Sequence, residues 1–324
     1  MNLMMVVGPV LLLFIVLGFV TYAILFERKV IGWIQNRIGP NRVGPWGLLQ
    51  TVADVFKLLI KEDIIPAKAD ESLFRLAPVI AFVPAFAVLA VIPFTEKIQF
   101  ADFAVGLLYY MAISSITIIG ILVGGWASNN KYALLGGMRS AAQMISYEIP
   151  LVMSVVGIIM SVGSLNLHEI VEAQQKVWFI FPQFVGFAVF LIASISELNR
   201  TPFDLPEAES ELVAGYHVEY TGFRFAFFML AEYVYVFAMA SLTTVLYLGG
   251  WNAPFGLTFI PPIVWFILKF SLIVFFLFWV RATMPRIRVD QLMQFAWKVL
   301  LPLALANIFI TAVFKEIPVI GKFY

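Results

Sequence analysis

"LMMVVGPVLLLFIVLGFVTYAILF", residues 3–26, decides the class of this chain, because twenty-four residues pass without one charge. A helix needs about 20 predominantly apolar residues to cross roughly 30 Å of hydrocarbon. No Lys or Arg precedes the run, and the first basic residues follow it in "ERK" at 27–29. It is also longer than the roughly 7–15-residue core of a cleaved signal peptide. The segment is therefore expected to stay in the membrane, with its N-terminus on the outer face.

Comparable runs recur at about 76–94, 103–123, 145–162, 178–196, 223–248, 257–281 and 296–314, giving eight candidate spans. The fourth is the least regular, with Glu148 and Pro150 near its start. Over 324 residues the chain is 62% hydrophobic and only 13% charged, with 32 Phe, and the mean hydropathy is +0.94. Too few polar residues remain to give most helices a wet face. The expectation is an all-α polytopic membrane protein. Residues 1–324 form one integral membrane domain, with about eight transmembrane helices and a cytoplasmic-side amphipathic helix.

Basic residues give the orientation. With the N-terminus outside, the odd-numbered connections and their flanks hold fifteen Lys and Arg against four on the outer side. That asymmetry follows the positive-inside rule. The absences narrow the chemistry. There is no Cys, hence no disulfide and no thiolate-held zinc or iron–sulfur cluster. The two histidines, His168 and His217, fall on opposite sides of the membrane. No Gly-rich phosphate-binding signature occurs, and a net charge of +1 gives no sign of nucleic acid. Any redox cofactor belongs to another chain.

Polarity is concentrated on the cytoplasmic side. In "WGLLQTVADVFKLLIKED", residues 46–63, Gln50, Asp54, Lys57 and Lys61 recur at helical spacing as one polar stripe. Such a helix lies at the membrane interface, or turns its stripe toward a polar cavity or partner. "GSLNLHEIVEAQQKV" at 163–177 reads as a short amphipathic helix on the outer surface. "GGW" occurs at 124–126 and 249–251, too little to establish a repeat.

The acidic residues are harder to place by composition. Six of them, Glu197, Asp204, Glu207, Glu209, Glu211 and Glu219, crowd into positions 197–219. Glu207 and Glu211 share a face if the segment is helical, since they are four apart. Glu232 lies about ten residues into the sixth span, where an uncompensated charge costs roughly 2.5–3.5 kcal/mol, and Lys269 in the seventh is its candidate counter-ion. For any single loop acid, a solvated surface charge is the ordinary reading. As a set, Glu148, Glu197, Glu207, Glu211 and Glu232 form a plausible relay of proton-accepting groups, because desolvation moves a carboxyl toward neutrality.

Four segments carry a resemblance: "ERKVIGWIQNRIGPNRVGPWGLLQTVADVFKLLIKED" (27–63), "WASNNKYALLGGMRSAAQMISYEIP" (126–150), "ELNRTPFDLPEAESELVAGYHVEY" (197–220) and "RATMPRIRVDQLMQFAWKVLLPL" (281–303). Together they closely resemble the H-subunit family of NADH-quinone oxidoreductase, respiratory complex I, over nearly the whole chain. The resemblance implies an enzyme component without independent activity, in a bacterial plasma membrane. It would form the membrane-side part of a quinone chamber with two peripheral subunits, one carrying the terminal iron–sulfur cluster. Quinone would be the substrate, reaching the chamber through an opening near the first span and the amphipathic helix. Iron–sulfur clusters and flavin would sit in partner subunits, with small and antiporter-like membrane subunits alongside and no cofactor on this chain. Glu27, Arg28, Arg37 and Asp54 would lie around the opening and chamber. Arg200, Asp204, Glu207, Glu209 and Glu211 would lie near the headgroup path, and Arg281 near the chamber's end. Glu148, Glu197 and Glu232 would form the acidic channel toward the antiporter-like subunits. The equivalent anchor chain of a membrane hydrogenase or of another donor's dehydrogenase is the nearest alternative. A secondary transporter would more often show inverted repeats and broken helices, which are not found here.

Overall fold

The computed structural model describes residues 3–205, 209–254 and 259–316. In order, the α-helices are α1 (Leu3–Ile34), α2 (Gln50–Ile60), α3 (Glu71–Ala87), α4 (Gly106–Ala127), α5 (Lys131–Val162), α6 (Leu167–Ala173), α7 (Phe184–Glu197), α8 (Glu209–Leu212), α9 (Gly222–Tyr247), α10 (Pro262–Thr283), α11 (Val289–Phe295) and α12 (Leu301–Glu316). Among the described residues the only β-type pairing is an isolated bridge between Thr95 and Ile98.

Among the described residues seven helices are long and apolar enough to cross a membrane: α1, α3, α4, α5, α9, α10 and the continuous α11–α12 stretch Val289–Glu316. The fifth apolar run is shorter as a helix. The 14 residues of α7 rise about 21 Å. Bonds from Gln183 N to Phe179 O at 2.9 Å and from Phe187 N to Gln183 O at 2.8 Å carry helical spacing back through the preceding turn. Among the described residues α7 is thus a shorter apolar helix beside the seven long ones.

Contacts between ends fix the alternation. Asp70 N donates to Ala127 O, joining the start of α3 to the end of α4. Leu107 N donates to Leu165 O, joining the start of α4 to the end of α5 at the other pole. Glu27, late in α1, meets Arg281, late in α10, so both run toward the pole that bears α2. That pole is called the α2 end, and the opposite one the far end.

The fourth span is not the weak one. α5 is 32 residues long, as long as α1, and the segment 131–144, expected to be part of a connection, is helical. Asn130 caps it, its side chain accepting from Tyr132 N at 2.9 Å. Small residues then let backbones approach. A Cβ on Gly125 would come within 2.6 Å of Ala133 O, and one on Gly136 within 2.7 Å of Gly215 Cα. Where there is no hydrophobic force between helices in lipid, such close packing associates them. Pro150 removes one backbone donor without ending the helix.

Another proline explains the last span. Pro302 lacks an N–H and would clash with the carbonyl four residues back, so the chain widens into a π turn over Ala296–Leu300 before α12 resumes. The two "GGW" segments are structurally unrelated. The first lies inside α4, whereas Gly249 and Gly250 have φ of 69° and 50° in a turn after α9, conformations open to glycine. α6 does form at the far end, with Leu167, Ile170 and Val171 buried.

Candidate functional site

Three spans and a loop converge on one buried carboxylate near the α2 end. Glu27, seven residues before the end of α1, is 3% exposed. Arg200, in the loop after α7, donates to both its oxygens, at 3.0 and 2.8 Å from Nη1. Tyr233 on α9 donates its hydroxyl to Glu27 Oε2 at 2.8 Å. Arg281, in the last turn of α10, donates to Oε1. The Arg200 guanidinium also stacks 4.4 Å from the Tyr233 ring centre, and its Nη2 lies 3.8 Å from Glu232 Oε2. One cation thus stands between two carboxylates contributed by different helices. Burial alone disfavours the Arg200 cation, but Glu27, Tyr233 and Glu232 overcome that and hold it charged.

The counter-ion of Glu232 is therefore Arg200, not Lys269 as the sequence suggested. Lys269 sits near the far end, where Nζ donates to the carbonyls of Leu248 (2.6 Å), Gly250 (3.0 Å) and Asn252 (2.7 Å). Its fourth neighbour is the Trp178 ring, 4.2 Å from Nζ. Three acceptors use all three ammonium hydrogens, so Lys269 caps the α9–α10 turn.

From Glu232 a polar path runs inward. A cavity of about 30 Å³ between α4, α7 and α9 is lined by Ser114, Thr117, Glu197, Asn199, Glu232 and Tyr235, room for one or two waters. Thr117 and Tyr235 share a hydrogen bond across it. Glu148 on α5 accepts from the Ser115 hydroxyl, adjacent in sequence to Ser114, whose hydroxyl donates to Met111 O at 2.9 Å. Arg200 thus joins Glu27 to Glu232, and Glu232 and Glu197 line one cavity. Gln143 holds the end of α7 against this path, donating to Ser196 O and Phe203 O at 2.8 Å each.

The remaining sequence candidates lie around the rim. Arg28, next to Glu27, turns outward and donates to Asp54 of α2 at 2.7 Å, and Gln50 donates to Asp54 at 3.0 Å. Burial works against ionising Asp54, but the bonds from Arg28 and Gln50 with the charges of Arg28 and Lys57 hold its carboxyl below the usual range. Asp54 of the polar stripe is therefore tied to α1, while Lys57 and Lys61 stay exposed and Phe56, Leu59 and Ile60 are more than half exposed. Arg37 is exposed and donates to Gln35 at 2.7 Å. Asp204 is held by Arg286, whose Nε donates to its backbone oxygen at 2.9 Å and whose Nη2 lies 3.4 Å from Oδ2. Glu211 lies on the surface, paired with Arg139 at 2.7 Å. The Arg139 hydrogen bond and charge hold its carboxyl below the ordinary carboxylate range. Glu207 and the side chain of Glu209 lie outside the described residues.

Sequence reasoning missed Tyr233, Tyr235, Thr117, Arg139 and Arg286. The tyrosines had a signal, "EYVY" at 232–235, two hydroxyls beside an intramembrane acid. The arginines had none beyond being basic residues near loops. Among the described residues, no three His, Asp or Glu come together as a metal site.

Comparisons bear on the same segments. The NADH dehydrogenase family model matches residues 7–312. The chain is 74% identical over 309 residues to the NADH-quinone oxidoreductase H subunit of Bacillus cereus strain B4264, covering 95% of this chain and 93% of that one. It is 72% identical to the H subunits of Brevibacillus brevis, covering 95% and 92%, and of Bacillus mycoides, covering 95% and 93%. A match that runs from α1 into α12, through every residue of the buried carboxylate network, settles the family: the chain belongs to the NADH dehydrogenase family, among the H subunits of NADH-quinone oxidoreductase.

Proposed function

We propose that this chain, a membrane subunit of an NADH-quinone oxidoreductase, forms the membrane-side wall of the quinone chamber and relays protons away from it through Glu232, Glu197 and Glu148. The observation that carries the reading is Arg200, buried and shared between Glu27 and Glu232 at the head of the cavity that contains Glu197. Reducing a quinone to a quinol takes up two protons and changes the charge of a poorly solvated site. An arginine held between two acids responds to such a change by leaning toward one or the other. The acid left less compensated then favours its protonated form. Glu197 and Glu148 extend that response across α7 and α5. Each proton moved against the membrane potential requires about 2.3 kcal/mol per 100 mV, so the coupling has to act through buried groups where charges are poorly screened.

In this reading Glu27, Arg200 and Arg281 border the chamber, Arg28 and Asp54 set α2 beside its opening, and Arg37, Asp204 and Glu211 belong to the surface facing the peripheral subunits. One of those subunits carries the terminal iron–sulfur cluster, and flavin lies farther out in the peripheral arm. The antiporter-like subunits lie beyond Glu148. The α2 end faces the cytoplasm of a bacterial cell and the N-terminus lies outside, as the excess of basic residues at the α2 end requires.

The test uses the intact complex in membrane vesicles carrying Glu232→Gln or Glu197→Gln. Amounts of assembled complex on a native gel should match wild type, while protons translocated per NADH oxidised fall severalfold. Unchanged translocation in both variants would remove these residues from the path.

A further inference from the structure

The cavity between α4, α7 and α9 is bounded by two pairs of residues three apart in sequence, Ser114 and Thr117 on α4 and Glu232 and Tyr235 on α9. Residues three apart share a helix face and stand about 4.5 Å apart along the axis. α4 runs toward the α2 end, where Ala127 meets Asp70 at the start of α3. α9 runs away from it, since Thr221 at its start accepts from Ile64 N at 3.2 Å. Thr117 and Tyr235, both buried, are joined by a hydrogen bond between their hydroxyls. By backbone position that bond lies between Glu232 on its α2 side and Ser114 on its far side.

A hydroxyl carries one hydrogen and both donates and accepts. In this pair either oxygen can be the donor, and whichever accepts keeps its own hydrogen to give to a third group. The pair therefore has two donor directions that differ by rotation of two O–H bonds. Other polar groups on the cavity wall are already committed. Ser114 gives its hydrogen to Met111 O, and Asn199 Oδ1 accepts from Gln143 Nε2 at 3.3 Å. Ile121, Met144, Phe228 and Ala231 make much of the remaining lining apolar. Glu197 offers an acceptor, since its buried Oε2 has no hydrogen-bond partner among the described residues. Helix packing alone gives little reason for the pair, because two apolar groups of the same shape would hold α4 to α9 about as well as two buried hydroxyls.

We propose that the Thr117–Tyr235 hydroxyl pair is the proton-passing link between Glu232 and Glu197, with Tyr235 as its positioning residue. The O–H bond of protonated Glu232 breaks as its proton goes to the Tyr235 oxygen. The Tyr235 hydrogen passes to Thr117, and the Thr117 hydrogen passes to Glu197. One O–H bond is lost at Glu232, one is gained at Glu197, and both hydroxyls are restored. The one or two waters that fit the cavity bridge whatever gaps remain in that sequence. Passage leaves the pair in its opposite donor direction, so the next proton waits until both O–H bonds have turned. The inference rests on the relay reading above and adds the groups that join two of its acids.

The experiment uses the intact complex in membrane vesicles carrying Tyr235→Phe, Thr117→Val, the two together, or Thr117→Ser. Tyr247→Phe is the control, a second buried tyrosine of α9 whose hydroxyl donates to Ser154 O at 3.4 Å, outside the cavity. Protons translocated per NADH oxidised are measured beside the thermal midpoint of the complex, and the ratio does not depend on how much complex assembles. Tyr235→Phe and Thr117→Val should each lower the ratio severalfold. The double variant should fall no further than either single one, because each breaks the same link. Thr117→Ser, which keeps the hydroxyl, and Tyr247→Phe should both hold the wild-type ratio. A bond that only packs helices would shift the thermal midpoint and leave the ratio alone, and wild-type ratios in Tyr235→Phe and Thr117→Val would overturn the proposal. Glu232→Gln and Glu197→Gln run in parallel separate the two claims. Loss in the acid variants with wild-type ratios in the hydroxyl variants refutes the link alone, whereas wild-type ratios in the acid variants remove the relay and the link with it.

Discussion

Removing Arg200 should destabilise the protein more than removing Arg200 and Glu27 together. Glu27 and the Arg200 side chain are 4% and 8% exposed and are joined by two bonds of 3.0 and 2.8 Å. Breaking one partner of a buried pair typically costs about 3–5 kcal/mol, because the survivor stays buried without compensation, whereas replacing both with apolar residues of similar volume is often near neutral. Arg200→Met leaves Glu27 with Arg281 and Tyr233 but strips Glu232 of its counter-ion. Glu27→Met leaves Arg281 facing the site with no carboxylate, while Arg200 keeps only Glu232. We expect each single substitution to lie in that range, and Glu27→Met/Arg200→Met to recover part of it, a coupling of about 2–3 kcal/mol. The assay is the thermal midpoint of the purified complex, followed by tryptophan fluorescence and by retention of this chain on a native gel. The expected order is wild type, then the double variant, then either single variant. If the double variant melts below wild type by the sum of the two single losses, the two residues act independently and the buried network is not a coupled unit.

Three further outcomes rest on separate parts of the molecule. Asp54→Asn should free α2 from α1, seen as faster amide exchange across Gln50–Ile60. The depressed Asp54 carboxyl means that the wild-type tether is present above the unfolded value near 3.8 and is lost only as pH falls through the lower folded value, so acidification to pH 5 should leave that exchange pattern intact. Gly120→Ala puts a Cβ 2.6 Å from Ala81 N and 2.9 Å from its Cα, backbone that cannot turn aside. It should destabilise the α3–α4 contact by about 1–3 kcal/mol and reduce assembled complex on a native gel, with no such loss for Gly18→Ala, where nothing lies within 4 Å. Lys269→Met leaves three carbonyls at the α9–α10 turn without their donor, and limited proteolysis should cut near 249–254 in that variant but not in wild type.

The succession of apolar helices, the α2 helix and the unusual position of Glu232 inside an apolar run were legible in the sequence, whereas Glu27 stood out only through the resemblance. Hydropathy is a local property, and a charge inside an apolar run announces itself without knowledge of its neighbours. The length of α5 was not legible, because its polar first half is helical only through glycine contacts with α4 and with Gly215, which are distant in sequence. The pairing of Glu232 was misread for a related reason. Counting along apolar runs puts Lys269 at mid-span, but α10 starts at Pro262, so Lys269 lies seven residues from the far end while Glu232 lies ten residues from the α2 end on a helix running the opposite way. Antiparallel neighbours share a depth only when their distances from opposite ends complement each other, and that depends on where each helix begins. Arg200, in a loop with no periodic signal, reaches Glu232 because Gln143 and Arg286 fold that loop back between α1 and α9. Composition and periodicity determined what kind of protein this is and which residues are chemically unusual. Which of those residues touch was decided by helix ends and loop paths, since an ion pair is set by position in space and not by distance along the chain.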